Sequence, residues 1–209
     1  MDADVLVSKV SEGRTDFSNL IITGDVDLGD LEIDGDLNFG GSIFKNGLNM
    51  VRMVIRGNLI LKGVHIFHNI CLSGARINVI LDIRDMQMFG RHARNADLTE
   101  IWVKGHILAG GDETLIGTCF DLSKAEVGGK LDISGNAKVN SCLKLDEAKV
   151  RGDVNLTGVH VVDTLSLRDA IFGSHLHLVN ALVGDFDMHG AEVGGTTFWP
   201  GFHVRPDLT

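Results

Sequence analysis

Apolar residues recur along this chain as pairs separated by a single position, a spacing that puts two side chains on the same face of a short strand. Leu20/Ile22, Val26/Leu28, Leu31/Ile33, Leu37/Phe39 and Ser42/Phe44 open a series that runs to Met86/Met88. It resumes at Phe120/Leu122 and continues to Ala191/Val193. Successive pairs start alternately six and five residues apart, which matches neither the 3.6-residue period of a helix nor the longer strands of a hairpin meander. Short inward pairs separated by polar or glycine residues describe a chain that turns a corner after every strand. Four corners predict a coil of about 22 residues, and a shift of one coil does place like on like: Leu37, Leu59 and Leu81 fall in one column, Ile33, Ile55 and Ile77 in another. One coil cannot bury its own apolar face, so about eight coils are expected to stack into an all-β parallel solenoid with one continuous core.

Both ends of such a rod need covers. Residues 1–13 are expected to form an N-terminal capping helix, with Asp2 or Asp4 as N-cap, Leu6 and Val10 laid over the first coil and Gly13 as the stop. Residues 14–198 are expected to be the solenoid, with an irregular insertion around 89–118 holding one partial coil between two loops. Residues 199–209 are expected to be a tail. Phe198, Trp199, Pro200 and Phe202 either fold over the last coil or form a homodimer contact.

The Ala-x-Leu and Ala-x-Val pairs, with Ala96, Asp97 and Leu98 as a near-consensus instance, resemble the repeating unit of pentapeptide repeat proteins. The opening run Val5, Leu6, Val10, Gly13, Phe17, Asn19, Ile22, Gly24, Asp25, Val26, Asp27 and Leu28 is similar to the helix and first coil that begin many members. The resemblance covers nearly the whole chain and implies a right-handed quadrilateral β-helix. The departure is one extra residue in every second unit, which lengthens alternate corners. Some pentapeptide repeat proteins present carboxylate-lined rods to DNA-binding enzymes, so the resemblance also implies, as an alternative function, DNA mimicry against an enzyme such as a topoisomerase.

Charge changes that picture. The net charge is −9, yet residues 41–95 carry only two acids against eight bases. Within that band Arg52, Arg56, Lys62, Arg76, Arg84, Arg91 and Arg94 are candidate binding residues for an anionic partner, and Asp112 and Glu113 mark a candidate ligand site in the loops. The 22-residue ruler sets Asp30 beside Arg52 and Asp34 beside Arg56. It also sets Glu126 beside Lys149, Lys130 beside Asp153 and Asp146 beside Arg168, so acids are expected to cancel bases between coils. Lys62 and Arg84 are expected to stack with no acid between them.

No nucleotide-binding, hydrolase or metalloprotease motif occurs, and no cofactor is called for. His175, His177 and His189 are expected to diverge across two faces rather than converge on a metal. Phe67 and Phe89 are the only aromatics near the basic band, so direct nucleic-acid binding is not expected. Cys119 and Cys142 fall one coil apart, within disulfide reach, and are expected to stay thiols in a reducing cytoplasm. No run is long and apolar enough to span a membrane. The expected role is a non-enzymatic solenoid that offers a protein partner a binding or scaffold surface.

Overall fold

The computed structural model describes residues 1–89 and 95–205. Most of this chain runs as two-residue strands, each turning one side chain outward and one inward, as in Glu32–Ile33 and Val54–Ile55. Every strand lies parallel to those one coil before and after it, so the strands stack in four columns. These columns are the four faces of a parallel β-solenoid of about eight coils. The first face runs from Ile21–Ile22 to His203–Val204, and the second starts at Val26–Asp27. The third face runs from Glu32–Ile33 to Glu192–Val193 and the fourth from Leu37–Asn38 to Thr197–Phe198. The third and fourth faces are sheets of eight strands each. Two longer strands, His160–Ser166 and Leu182–Asp187, run through the corner between the first and second faces and join those two into one 15-stranded sheet.

The register is the one the apolar repeat predicts. Leu37 pairs with Leu59 and Leu59 with Leu81, while Ile33, Ile55 and Ile77 stack on the third face. The inward residues of all four faces meet in one core, sealed from solvent along its length. Phenylalanines fill the first coils, with Phe17 stacked on Phe39 at 5.6 Å and Phe44 edge-on to Phe39 at 5.5 Å.

Corners alternate between wide and tight. The wide corners, between the second and third faces and between the fourth and first, each hold a residue in the left-handed region. Asp30, Arg52, Glu100 and Lys124 occupy it at φ 59, 53, 58 and 60°, and Gly74 at 66°. A non-glycine residue in this conformation costs about 1 kcal/mol or more. Backbone bonds to the adjacent coil hold it there, such as Arg52 N to Ser73 O at 2.9 Å and Lys124 N to Asp146 O at 2.8 Å.

The expected irregularity at 89–118 shrinks. Asn95–Asp97, Trp102–Val103, Ile107–Leu108 and Leu115–Ile116 occupy the second, third, fourth and first faces in turn, a complete coil rather than a partial one. Extra residues widen the corner around Gly110–Glu113, and the segment 90–94 lies outside the described residues. All four faces stay in register across the coil, with Ile70 opposite Ala96 and Arg76 opposite Trp102.

At the start of the chain, the helix Ala3–Ser11 is capped by Asp2, whose carboxylate accepts from the Asp4 amide at 3.2 Å, and Gly13 ends it at φ 91°. Its Leu6 and Val10 are buried against the first coil. Met1 to Ala3 extend that cover by pairing with the coil's edge, Ala3 N donating to Thr23 O at 2.8 Å. At the other end, the boundary expected at 198 moves outward. His203–Val204 adds a further first-face strand on Leu182–Val183, and Phe202 packs edge-on to Phe186 at 5.0 Å. Phe198, Trp199 and Val204 remain exposed.

Cys119 and Cys142, expected to stay thiols, form a disulfide on the second face. Coil stacking sets their Cα atoms 4.5 Å apart, which leaves the two sulfurs within bonding distance. No helix among the described residues is long and apolar enough to cross a membrane.

Candidate binding face

The outward residues of the third face form a column up the rod: Glu32, Val54, Arg76, Trp102, Glu126, Lys149, Ile171 and Glu192. Flanking it on the wide-corner side stand the left-handed residues from Asp30 through Arg52, Gly74, Glu100 and Lys124. Flanking it on the tight-corner side stand Asp34, Arg56, Asn78, Lys104, Gly128 and Arg151, fixed by coil-to-coil bonds such as Lys104 N to Ile77 O and Gly128 N to Val103 O.

Trp102 sits half-buried at the centre, and the columns lack a side chain at two points beside it. Where Gly74 interrupts the wide-corner column an open depression of about 890 Å³ lies between Arg52, Arg76, Asn78, Glu100, Trp102, Lys124 and Glu126. Where Gly128 interrupts the other, a second of about 460 Å³ lies between Trp102, Lys104, Glu126, Lys149 and Arg151. The two meet at the Trp102 ring and form a diagonal groove. The backbone preserves the second depression, since a Cβ on Gly128 would lie 2.1 Å from the Lys104 carbonyl oxygen. Gly74 has room, with only the Arg52 Cγ at 3.5 Å from a Cβ there.

Electrostatics divide this face by coil. Arg52 grips Asp30 through Nε and Nη2, both at 2.7 Å, and this pair holds the Asp30 carboxyl below its usual range and the Arg52 guanidinium above its own. Arg56 lies 3.6 Å from Glu32 and 4.0 Å from Asp34. On this face Arg52 and Arg56 of the second coil thus offset most of the charge of Asp30, Glu32 and Asp34 on the first, with Asp30 on Arg52 as the ruler predicts. Higher up the pairing fails. Among the described residues, Arg76, Lys104, Lys124, Lys149 and Arg151 make no ion pair within 4.0 Å. Glu126 is register partner to Lys149 without bridging to it. Six cations against two carboxylates line the groove on a chain whose net charge is −9.

The basic band read from the sequence is not one surface. Arg52, Arg56 and Arg76 stand on or beside the third face, whereas Lys62 and Arg84 stand at the corner between the fourth and first faces. Arg84 does not stack freely on Lys62, because it is bonded to Asp82 on its own coil at 2.6 Å. Two later ladders are also corrected. Lys130 pairs with Asp132 at 2.9 Å instead of Asp153, and Arg168 reaches Asp187 at 3.5 Å instead of Asp146. In each case a carboxylate two residues away, or on the next coil, lies closer than the expected partner, which is held by hydroxyl and amide groups: Asp153 by Ser174 and His175, Asp146 by Ser166 and the Arg168 amide. Arg91 and Arg94 lie outside the described residues.

Asp112 and Glu113 form no ligand site with Asp121. They cap the fourth-to-first corner, with Asp112 accepting from Asn136 at 3.0 Å and Glu113 from Gln87 at 3.4 Å, while Asp121 stands on the second face. His175 turns its Nδ1 to the Thr196 amide at 2.9 Å, and no group of three or more metal-ligating side chains converges among the described residues.

Sequence reasoning missed Trp102, Lys104, Lys124, Lys149 and Arg151. The signal was present for the tryptophan: the inward pair Ile101/Val103 requires Trp102 to point outward. What hid its neighbours was the change of coil length, since Arg76 faces Trp102 across 26 residues instead of 22. No protein-family model matches this chain, and no curated protein is similar to it at a significant level.

Proposed function

We propose that this protein is a non-enzymatic solenoid whose third face binds a protein partner. The observation that carries the reading is the half-buried Trp102 at the meeting of two depressions, beside Arg76, Lys104, Lys124, Lys149 and Arg151, which make no ion pair among the described residues. Interface energy concentrates in tryptophan, tyrosine and arginine side chains set in partly desolvated pockets, and Trp102 beside Arg76 has that character. Elsewhere on the rod, polar side chains are spent on bonding one coil to the next, as Asp27 to Asn49 at 2.8 Å and Ser73 to Thr99 at 2.9 Å. The groove is where this bookkeeping is left incomplete.

The alternative of a carboxylate rod imitating DNA draws support from the net charge of −9 and from the resemblance to pentapeptide repeat proteins. The ion pairs of Arg52 and Arg56 with Asp30, Glu32 and Asp34 weigh against it, because they offset most of the charge that the most acidic coil sets on this face.

A photo-crosslinking residue in place of Asn78, beside the groove, tests the reading in cells of the source organism. Discrete protein adducts are expected at this position, lost when Trp102→Ala and Arg76→Glu are introduced. Adducts that survive both changes, or that form equally from Lys138 on the first face, would remove the third face from consideration. The cytoplasmic setting suggested by the sequence is tested by Cys119 and Cys142. Labelling of both as thiols in freshly lysed cells supports a reducing compartment, and full protection as a disulfide argues against one.

A further inference from the structure

We infer that the groove across Trp102 takes an extended, acidic polypeptide segment of the partner, one whose carboxylates are spaced apart and alternate with apolar residues. This inference rests on the protein-binding reading above and adds the chemistry of what is bound. Three features lead to it.

The first is that the backbone of the third face is already paired. Every strand between the two ends of that face, from Val54–Ile55 through Ile171–Phe172, lies between strands of the neighbouring coils, so a segment bound in the groove cannot add to the sheet as a further strand. Recognition must come from side chains, and the side chains available are one indole and a set of cations.

The second is the spacing of those cations. Lys104 and Arg151 stand two coils apart on one flank, and Arg76 and Lys124 two coils apart across the other depression. Coils stack at about 4.8 Å, so each separation is roughly 10 Å. Three residues of an extended or polyproline-like chain cover about the same distance at roughly 3.1 to 3.4 Å each. From Arg52 to Arg151 the groove climbs four coils, about 19 Å along the rod axis, and crosses the face as it does so, room for at least about six extended residues.

The third is the pair of glutamates. Glu100 and Glu126 line the first depression together with Trp102, and Glu126 lines the second as well. A uniform polyanion, such as a nucleic acid or a sulfated glycan, would have to carry a charge past each of them. A polypeptide can set an apolar side chain there, against the indole, and keep its carboxylates for Arg76, Lys104, Lys124 and Arg151. One aromatic platform also suits one anchoring side chain better than a run of stacked bases.

The test uses the full chain carrying Trp199→Phe, so that Trp102 is the sole indole reporter. A displayed library of random decapeptides is selected on this protein and counter-selected on the same protein with Trp102→Ala. The expected winners carry Asp or Glu about three positions apart around an apolar residue. Titrating a synthetic winner should shift the Trp102 emission to the blue and saturate, and 0.5 M salt should weaken binding severalfold. Arg76→Glu and Lys104→Glu should each weaken it at least tenfold. Gly74→Asn, which fills one depression with a residue that accepts the left-handed conformation, should weaken it at least threefold with an unchanged circular dichroism spectrum.

Winners without acidic bias, an emission that does not move, or tighter binding by a heparin oligosaccharide or oligothymidine than by the peptides would each overturn the inference. If the peptides fail while crosslinks from position 78 still capture a protein, the acidic segment is lost and the protein-binding reading stands. If both fail, the third face is not the binding surface.

Discussion

Ser42 is sealed in the core beside phenylalanines, at a place where the apolar pattern calls for a hydrocarbon. Its hydroxyl donates to Phe17 O at 2.7 Å and accepts from Leu20 N at 2.9 Å, closing a corner whose backbone groups would otherwise lack partners. Thr114 repeats the device in the lengthened coil, donating to Gly110 O at 2.9 Å and accepting from Asp85 N at 3.0 Å. Ser42→Ala is expected to destabilise the protein by about 1 to 3 kcal/mol, because two buried backbone groups lose their only polar contact. The urea midpoint measures this, and an unchanged midpoint would contradict the role. The apolar repeat could place Ser42 inward but could not show what its hydroxyl was for, since its partners come from Phe17 and Leu20 at the coil below.

Carboxylates that accept from serine and lysine set the acid limit of the fold. Partial burial pushes Asp132 up, yet the Ser134 hydroxyl, Lys130 and the Ser134 amide outweigh it and hold the group below its ordinary 3.8. Asp16, Asp30 and Asp153 are lowered as well, by the Ser18 amide, by Arg52 and by the Ser174 hydroxyl respectively. A carboxyl lowered by folding is protonated first in the unfolded chain. Its contribution is therefore complete above about 3.8 and drains away as pH falls through that value toward the folded one. The urea midpoint should be level from pH 7 to 5 and drop steeply below 4. Asp132→Asn should start lower and lose less over that drop. An equal loss in the variant would mean that Asp132 is not among the groups responsible.

At the scale of the strand and its corner, the repeat was legible and the corner chemistry was not. Leu37, Leu59 and Leu81 announce a stacked column in any register search, because side chains facing one core must match in kind. The left-handed position carries Asp30, Arg52, Glu100 and Lys124 with no shared side-chain type, because the neighbouring coil's backbone enforces the turn. Corner lengths follow no rule of their own either, and the addition after Met88 breaks the 22-residue ruler between Arg76 and Trp102, which concealed the groove. Cys119 and Cys142 show the opposite case, where stacking alone brought two residues 23 positions apart into bonding distance. Replacing both by serine is expected to cost about 3 kcal/mol in oxidised protein and nothing in reduced protein. Thermal unfolding with and without a thiol reductant makes the comparison, and equal melting temperatures for wild type under the two conditions would show that the bond carries no stability.

For the whole molecule, a stack of coils is stable only as its neighbours allow, and its ends are the weak points. The helix Ala3–Ser11 guards one end by burying Leu6 and Val10 and by supplying Met1–Ala3 as a further paired edge. Removing residues 1–12 should expose the edge at Ile21–Thr23 and convert the protein to soluble oligomers or aggregate, read by light scattering after gel filtration. A monodisperse product with the wild-type spectrum would show that the helix is dispensable. At the other end Phe202 lies against Phe186, while Phe198, Trp199 and Val204 stay on the surface. That division was not resolvable from Phe198, Trp199 and Phe202 as letters in a sequence.

The coil between Met88 and Phe120 absorbs its extra residues without disturbing a single face. Chain length in this molecule is thus a free parameter at the wide corner between the fourth and first faces, where Asp112 and Glu113 are exposed and accept from Asn136 and Gln87. That corner lies diagonally across the rod from the wide corner on one flank of the groove, and the whole fourth face separates it from the tight corner on the other. A ten-residue epitope spliced between Asp112 and Glu113 should lower the urea midpoint only slightly, since enlarging a loop costs little entropy. The result would be an adaptor with a recognition side and a cargo side, joined by a rigid rod through which neither has to signal.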